Sequence, residues 1–308
     1  MTATVSSPGR RSRRRPGLGA RTDWWALAMI APALIGLAAL YLWPFVSTFI
    51  KSFMNVPVFG PGRFTGVENY TRLLGDPEFW QAMGNTTLYT ALVLLGIPLA
   101  IVFAALIEQV SRGRSVYRVL FFLPVVTLPV AVGMVWRFIL NGDFGILNYV
   151  LSLVGVHGEY WVADARFTIY AFAAVGIWTG LGINLIILGA GLQSIPRELY
   201  EASALDGANR VQQFFSITLP LLSPSVFFVT ILTTISAFQM FDLVFVMLGS
   251  VNNTALPDSK TIVYLFYDAA FVQFKQGYAA TIAMVLLVII MIVTAIQFRL
   301  QKRWVTYD

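Results

Sequence analysis

Six long apolar runs, nearly free of charged residues, constrain the fold of this chain more than any other feature. They span about residues 24–50, 86–107, 116–140, 167–192, 221–248 and 277–298. A helix needs about 20 residues to cross the hydrocarbon core of a bilayer, so each run is long enough for one span. The pattern predicts an all-α polytopic membrane protein with six transmembrane helices.

The composition agrees with this prediction and excludes several kinds of site. Hydrophobic residues make up 57% of the 308 residues and charged residues only 12%, whereas a soluble domain carries about 25% charged residues. The chain has no cysteine and a single histidine, His157, which excludes disulfides and cysteine-type metal centres. No nucleophile–base pair and no G-x-x-x-x-G-K-[ST] motif occurs. We therefore expect no catalytic residue, no metal site and no nucleotide-binding loop.

Residues 1–22 form a Ser-, Gly- and Arg-rich tail that cannot bury a core, so we predict that it is disordered. Its arginines favour a role in topology over binding of nucleic acid or lipid, because no aromatic residue interleaves with them before Trp24. With the N-terminus inside, Lys and Arg are about twice as frequent on the cytoplasmic side as outside. We expect both termini in the cytoplasm and a transmembrane domain over residues 23–308.

Residues 193–220 form a polar loop between the fourth and fifth apolar runs. The composition of Arg197–Ala208 favours a helix, which Gly207 is suited to end. A second short helix is predicted at Val211–Phe215, and Pro220 is expected to separate it from the next span.

One face of the first loop helix is suited to contact with another protein. Leu199, Ala202 and Leu205 share this face by their spacing, and the small residues around them allow close approach. The alternative is an amphipathic helix lying on the membrane surface. Such helices prefer bulky apolar residues and a Lys/Arg face, which does not explain the run Ala-Ser-Ala and the Asp-Gly-Ala that follows it here.

Polar and small residues inside two spans predict a solute pathway, since polar side chains within a membrane usually face a cavity or a partner. On the fourth span one face carries Gly176, Thr179, Gly180 and Asn184, and on the fifth span one face carries Thr233, Ser236 and Met240. Thr230 extends the second face by one turn, and Trp178, Phe238 and Phe241 offer aromatic surface for a sugar. Packing between helices is the competing explanation for the small residues.

The loop sequence E-A-S-A-L-D-G-A-x5-F-x2-I-x-L-P, from Glu201 to Pro220, resembles the EAA loop of ABC importer permeases, in the version of the sugar-importing branch. Phe122–Trp136 resembles the third span of that family, and Gly66–Tyr70 its first outer loop. Phe271 and the following residues through Gly277-Tyr-Ala-Ala resemble its approach to the last span. The resemblance covers nearly the whole chain after the Arg tail.

This resemblance implies a six-helix permease whose cytoplasmic loop forms a coupling helix for a separate ATPase. The matching positions are Glu201, Ala202, Asp206 and Gly207, with Glu201 as the polar anchor, Asp206 as an acceptor that shapes the loop and Gly207 as the turn. Ser203 stands where the family often has alanine, and Leu205 completes the predicted contact set.

The resemblance also implies partners and a cargo. They are a second homologous permease, an ATPase dimer that carries ATP and Mg²⁺, and an extracytoplasmic solute-binding protein. The cargo is a sugar or polyol moved across the cell membrane by alternating access, with no cofactor on this chain and no nucleic acid bound. Glycerol phosphate remains an alternative substrate.

Two other classes compete with this interpretation. An ion-coupled secondary transporter is the main alternative, and it would usually show intramembrane carboxylates and broken helices. An intramembrane enzyme is the third class, but the sequence lacks the nucleophile–base pairs and metal ligands that such an enzyme requires.

Overall fold

The computed structural model describes residues 21–57, 59–110, 112–249 and 253–305. Nearly all of the tail predicted over residues 1–22 lies outside these residues. The described chain is helical except for irregular segments and one small antiparallel hairpin, in which β1 (Met54–Asn55) pairs with β2 (Arg63–Phe64). The predicted all-α fold is confirmed.

The chain divides into two compact units, one ending at Thr48 and the other beginning at Phe49. The described part of the first unit contains α1 (Arg21–Leu37) and most of α2 (Trp43–Ser52), joined through a π-helical segment at Ala38–Leu42. A proline cannot donate to the carbonyl four residues before it, so the helix widens just before Pro44. Trp24–Ser52 is apolar and long enough to span a membrane, as predicted.

The second unit begins its helical core with α3 (Glu68–Leu74), α4 (Pro77–Leu94) and α5 (Gly96–Gln109). The sequence favours a surface helix over residues 67–83 that breaks at Asp76-Pro77. The break is present, and Asp76 Oδ1 accepts a hydrogen bond from the Glu78 N–H at 2.9 Å as the cap of α4. The helix after it does not stay at the surface, because α4 continues directly into the second span. That span begins at Pro77, nine residues before the predicted start.

The third span, predicted as one helix over 116–140, is instead two helices. α6 (Arg114–Val126) and α7 (Pro129–Ile139) meet at 98° across Thr127-Leu128. Pro129 provides the physical reason, since a proline disfavours helical backbone in the residue before it. Leu128 accordingly has an extended ψ of 128°.

The fourth span is the central helix of the bundle. After α8 (Ile146–Leu153), the helix α9 (Ala165–Ser194) runs for 30 residues and contains the predicted span 167–192. Asp164 caps its start, where Oδ1 accepts a hydrogen bond from the Arg166 N–H at 2.9 Å. Hydrogen bonds from the Arg166 guanidinium and backbone lower the pKa of the Asp164 carboxyl and keep the cap charged. Phe172 and Leu188 on α9 are fully buried.

The predicted loop contains α10 (Arg197–Leu205) and α11 (Arg210–Gln213), followed by a π-helical segment at Phe214–Thr218 and then α12 (Leu219–Phe238). The expectation that Pro220 separates the short helix from the fifth span is wrong, because Arg210–Phe238 is one continuous helix. The wider π-helical turn just before Pro220 accommodates the missing N–H.

The fifth span, predicted over 221–248, also ends early. α12 stops at Phe238, and after a break at Gln239–Phe241 the short helix α13 (Asp242–Leu248) follows. The chain then forms α14 (Leu256–Ser259), α15 (Ile262–Tyr267), a π-helical segment at Asp268–Val272 and α16 (Gln276–Trp304). α16 contains the predicted sixth span. Within the described residues, five helices are long and apolar enough to cross a membrane, or six if α6 and α7 count as one broken span.

Candidate functional site

The central cavity is a space of about 490 Å³ bounded by α4, the α6–α7 break, α9 and the α12–α13 region. The sequence places the predicted solute pathway on two separate helices, and the structure brings both faces to this one space. All seven predicted residues line it: Gly176, Thr179, Gly180, Asn184, Thr233, Ser236 and Met240.

Two breaks in the helices open onto the central cavity. Thr127 and Pro129 line it at the bend between α6 and α7, and Gln239 and Phe241 line it at the break between α12 and α13. Irregular backbone at membrane depth is tolerated where it lines a cavity, because its unpaired polar groups then find partners there. The two breaks therefore fit a cavity that holds water or solute.

The polar side chains of the cavity are largely free to bind a guest. Asn184 is only 7% exposed, and neither its amide nor the side chains of Thr233, Ser236 and Gln239 form a hydrogen bond with another described residue. Thr179 differs, since its hydroxyl donates to the Val175 carbonyl at 3.0 Å. An unpaired polar group away from water costs free energy, so these groups favour a hydrated or occupied cavity.

The aromatic lining differs from the one predicted. Phe241 lines the cavity, whereas Trp178 packs edge-on against Trp136 with ring centroids 5.5 Å apart and Phe238 is buried elsewhere in the bundle. Thr230 does not line the cavity either, and its hydroxyl donates to the Val226 carbonyl.

Tyr89, on α4, lines the cavity and was missed by the sequence analysis. Its hydroxyl lies against Gly176, where a Cβ would collide with it. The sequence contains one indication of this position. Tyr89 lies one helical turn before Val93, which also lines the cavity, so the two share a helix face.

The charge of the cavity lining is low and negative. Asp242, at the start of α13, is the charged residue among those that line it, and no lysine, arginine or histidine does so. The lining thus combines hydroxyl and amide groups with apolar and aromatic surface, a mixture suited to a small polar guest.

The predicted contact face on α10 is exposed. Leu205 is 90% and Leu199 42% exposed, and Glu201 and Ala202 lie in the same exposed region. Glu201 forms no ion pair or hydrogen bond through its side chain with the described residues. The predicted contact residues Glu201, Ala202 and Leu205 are thus accessible to a partner.

The turn after α10 depends on Gly207, which has a φ of +85°. The Ala208 N–H donates to the Ser203 carbonyl at 2.9 Å and the Gly207 N–H to the Ala204 carbonyl at 3.1 Å, which ends the helix. The expected role of Gly207 in the turn agrees with this geometry. The Asp206 side chain is exposed and forms no hydrogen bond within the described residues.

Ser203 is only partly exposed, in contrast to Glu201, Ala202 and Leu205. Its hydroxyl accepts a hydrogen bond from Gln213 Nε2 at 2.9 Å, and Gln213 also donates to the Tyr200 carbonyl at 3.1 Å. The Tyr200 hydroxyl pairs with Thr218 Oγ1 at 3.0 Å. These contacts join α10 to the continuous helix Arg210–Phe238, which contains the fifth span.

A family model described as "Binding-protein-dependent transport system inner membrane component" matches residues 73–306. Among curated proteins, the probable ABC transporter permease YesP of Bacillus subtilis is 34% identical over 290 residues, covering 91% of both chains. The arabinooligosaccharide permease AraP of Halalkalibacterium halodurans is 35% identical, covering 88% of this chain and 86% of that one. The sn-glycerol-3-phosphate permease UgpA of Agrobacterium fabrum is 31% identical over 91% of this chain and 95% of that one.

A solved structure has the same fold. It is a chain of a bacterial alginate ABC transporter in complex with an alginate pentasaccharide-bound periplasmic protein. The TM-score is 0.81 at 22% identity, covering 92% of this chain and 96% of that one. The chain belongs to the family of binding-protein-dependent transport system inner membrane components, as a multi-pass membrane permease subunit of an ABC importer and not an enzyme.

Proposed function

We propose that this permease imports a neutral sugar or a related polyol, and that the central cavity is its half of the solute pathway. The observation that carries the proposal is the set of unpaired hydroxyl and amide groups beside Phe241 and Tyr89. Sugars present many hydroxyls and weakly polar ring faces, so they bind neutral hydrogen-bonding groups and aromatic rings. AraP, whose name assigns it arabinooligosaccharides, supports the same class of substrate.

The charge of the cavity argues against glycerol phosphate, which the name of the UgpA relative raises as an alternative. A phosphate is held in proteins mainly by arginine, lysine or backbone N–H groups. The only charged side chain among the lining residues is the Asp242 carboxylate, which would repel a phosphate. A neutral solute carries no such penalty.

Broken spans are expected of an ion-coupled secondary transporter, yet their presence does not separate that class from this proposal. Both the α6–α7 bend and the α12–α13 break lie on the cavity, as in many ion-coupled transporters. Family membership decides the question, because the relatives are permease components of ABC systems. Breaks of this kind follow from the need to line a pathway, whichever energy source drives it.

We infer that the exposed face of α10 points into the cytoplasm and seats on a separate ATPase dimer that carries ATP and Mg²⁺. The excess of Lys and Arg on that side of the chain supports this orientation. A second permease would complete the pathway, and an extracytoplasmic solute-binding protein would deliver solute at the opposite end by alternating access. The alginate transporter, crystallised with its periplasmic protein, supports this assembly.

The substrate class can be tested on the cognate binding protein. We expect neutral mono- or oligosaccharides or polyols from a panel to raise its melting temperature, and sn-glycerol 3-phosphate to leave it unchanged. The sugar that shifts it should also stimulate ATP hydrolysis by the reconstituted transporter. A binding protein that responds to glycerol phosphate alone would show that the inference from the cavity charge is wrong.

Deleting residues 1–15 should leave membrane insertion and transport largely intact. Arg21 and the later cytoplasmic arginines remain in this variant, and they suffice to hold the N-terminus inside. Uptake of the cognate solute in cells, normalised to the amount of inserted permease, measures the effect. Loss of uptake with normal insertion would assign the tail a role beyond topology.

A further inference from the structure

A second cavity of about 740 Å³ lies behind the exposed face of α10. We call it the arginine cavity, because Arg114, Arg197 and Arg210 line it together with polar residues such as Gln109 and Gln193. It is bounded by the ends of α5 and α9 and by the starts of α6, α10 and α11. The solute pathway proposed above does not include any of these residues.

Each of the three arginines is the first residue of its helix: Arg114 of α6, Arg197 of α10 and Arg210 of α11. The N-terminus of a helix carries a partial positive charge, so a cation there is unfavourable and an anion favourable. Gly113 and Pro196, which precede α6 and α10, provide no side-chain cap. Neither helix start therefore has a side-chain cap within the described residues, although Glu198 lies in the first turn of α10.

The acidic groups on the cavity do not balance this positive charge. Glu108 forms ion pairs with both Arg114 and Arg118, the latter at 3.2 Å. Arg210 donates only to the neutral Gln109 Oε1, at 2.9 Å. Arg197 makes no ion pair within the described residues, and Arg114 Nε is buried without a hydrogen-bond acceptor. Arg197 and Arg210 therefore have no carboxylate partner within the described residues, and the cavity holds three guanidinium groups against one carboxylate, around a space large enough for a guest.

We propose that the arginine cavity binds a phosphate group, either as free phosphate or as the headgroup of an anionic lipid. Guanidinium groups bind phosphate oxygens in pairs, which makes arginine the usual residue for this anion. A phosphate held between Arg114, Arg197 and Arg210 joins α6 to α10 and α11. Occupancy therefore restrains the segment that moves during coupling; this consequence, unlike the binding itself, rests on the function proposed above.

The test uses the full-length chain in nanodiscs without any ATPase, so that binding is measured independently of coupling. One arm titrates inorganic phosphate into phosphatidylcholine nanodiscs, and the other compares those discs with discs containing phosphatidylglycerol. Hydrogen exchange of peptides covering Arg197–Thr218 is the local readout. At phosphate about ten times above its Kd, we expect exchange in these peptides to slow roughly tenfold.

The matched variants separate binding from general charge effects. The Arg197→Gln/Arg210→Gln double variant should lose the protection, Arg197→Lys/Arg210→Lys should keep part of it, and the exposed Arg299→Gln should behave as wild type.

Protection in the phosphate arm identifies a soluble phosphate, and protection in the lipid arm alone identifies a headgroup. The proposal is overturned if neither arm protects the segment. Protection that survives in the double glutamine variant overturns it as well.

Discussion

Replacing Glu201 with lysine should leave the permease inserted in the membrane but abolish solute uptake. Glu201 is exposed on α10 and unpaired in the isolated chain, so its partner is expected on the ATPase. Removing one side of a desolvated, hydrogen-bonded charge pair costs roughly 2–5 kcal/mol, and lysine adds repulsion. ATPase binding should weaken roughly 30-fold or more, as measured by pull-down of the ATPase from detergent extracts with uptake assayed in parallel.

Glu198→Lys is the matched control for charge, because Glu198 is also exposed and lies one turn earlier on the same helix. It should retain most ATPase binding if the contact is centred on Glu201. An equal loss of ATPase binding in both variants would indicate a general electrostatic attraction and not a specific contact of the Glu201 carboxylate.

The turn at Gly207 gives an independent test of the same surface. Proline fixes φ near −65° and cannot adopt the +85° found there, so Gly207→Pro should redirect the chain after α10 and uncouple hydrolysis from transport. Asparagine tolerates the left-handed region, and a Cβ at this position meets no atom within 4 Å. Gly207→Asn should therefore keep most activity. If Glu201→Lys and Gly207→Pro both transport at wild-type rates, α10 is an ordinary connector.

The exposure of this face of α10 follows from local rules that the sequence contains. The spacing of Leu199, Ala202 and Leu205 defines the exposed face, and a glycine after the helix marks the turn that the structure shows at Gly207. The partial burial of Ser203 could not be predicted in the same way. It depends on Gln213, whose hydrogen bonds to the Ser203 hydroxyl and the Tyr200 carbonyl form only when α10 folds back against α11.

The breaks in the spans illustrate the limit of apolar patterns. By hydropathy, residues 116–140 form one apolar run, because Thr127 and Leu128 lower its hydrophobicity very little. The helix nevertheless bends by 98° just before Pro129. Pro220 has the opposite outcome, since a π-helical turn absorbs it and the helix continues. Whether a helix bends at a proline or continues past it depends on the residues that pack around the proline, and the linear sequence does not give this packing.

Replacing Ser236 with leucine should abolish uptake of the cognate solute while the basal ATPase activity of the assembled complex remains measurable. Ser236 lines the central cavity, and its hydroxyl makes no hydrogen bond with another described side chain or carbonyl. Leucine removes this polar group and places a branched apolar side chain in the space that a sugar would occupy. Thr233→Leu should act in the same way from one turn earlier on α12.

Two variants show whether the effect comes from the cavity. Ser236→Ala removes the hydroxyl without adding bulk, so it should weaken apparent solute affinity roughly fivefold to tenfold, the loss of about one hydrogen bond. Thr230→Leu adds similar bulk on the same helix but away from the lining, and it should retain uptake. If Ser236→Leu and Thr233→Leu both transport every tested solute normally, this face of α12 is a packing seam and the solute crosses elsewhere. If Thr230→Leu is equally inactive, damage to α12 packing explains the loss.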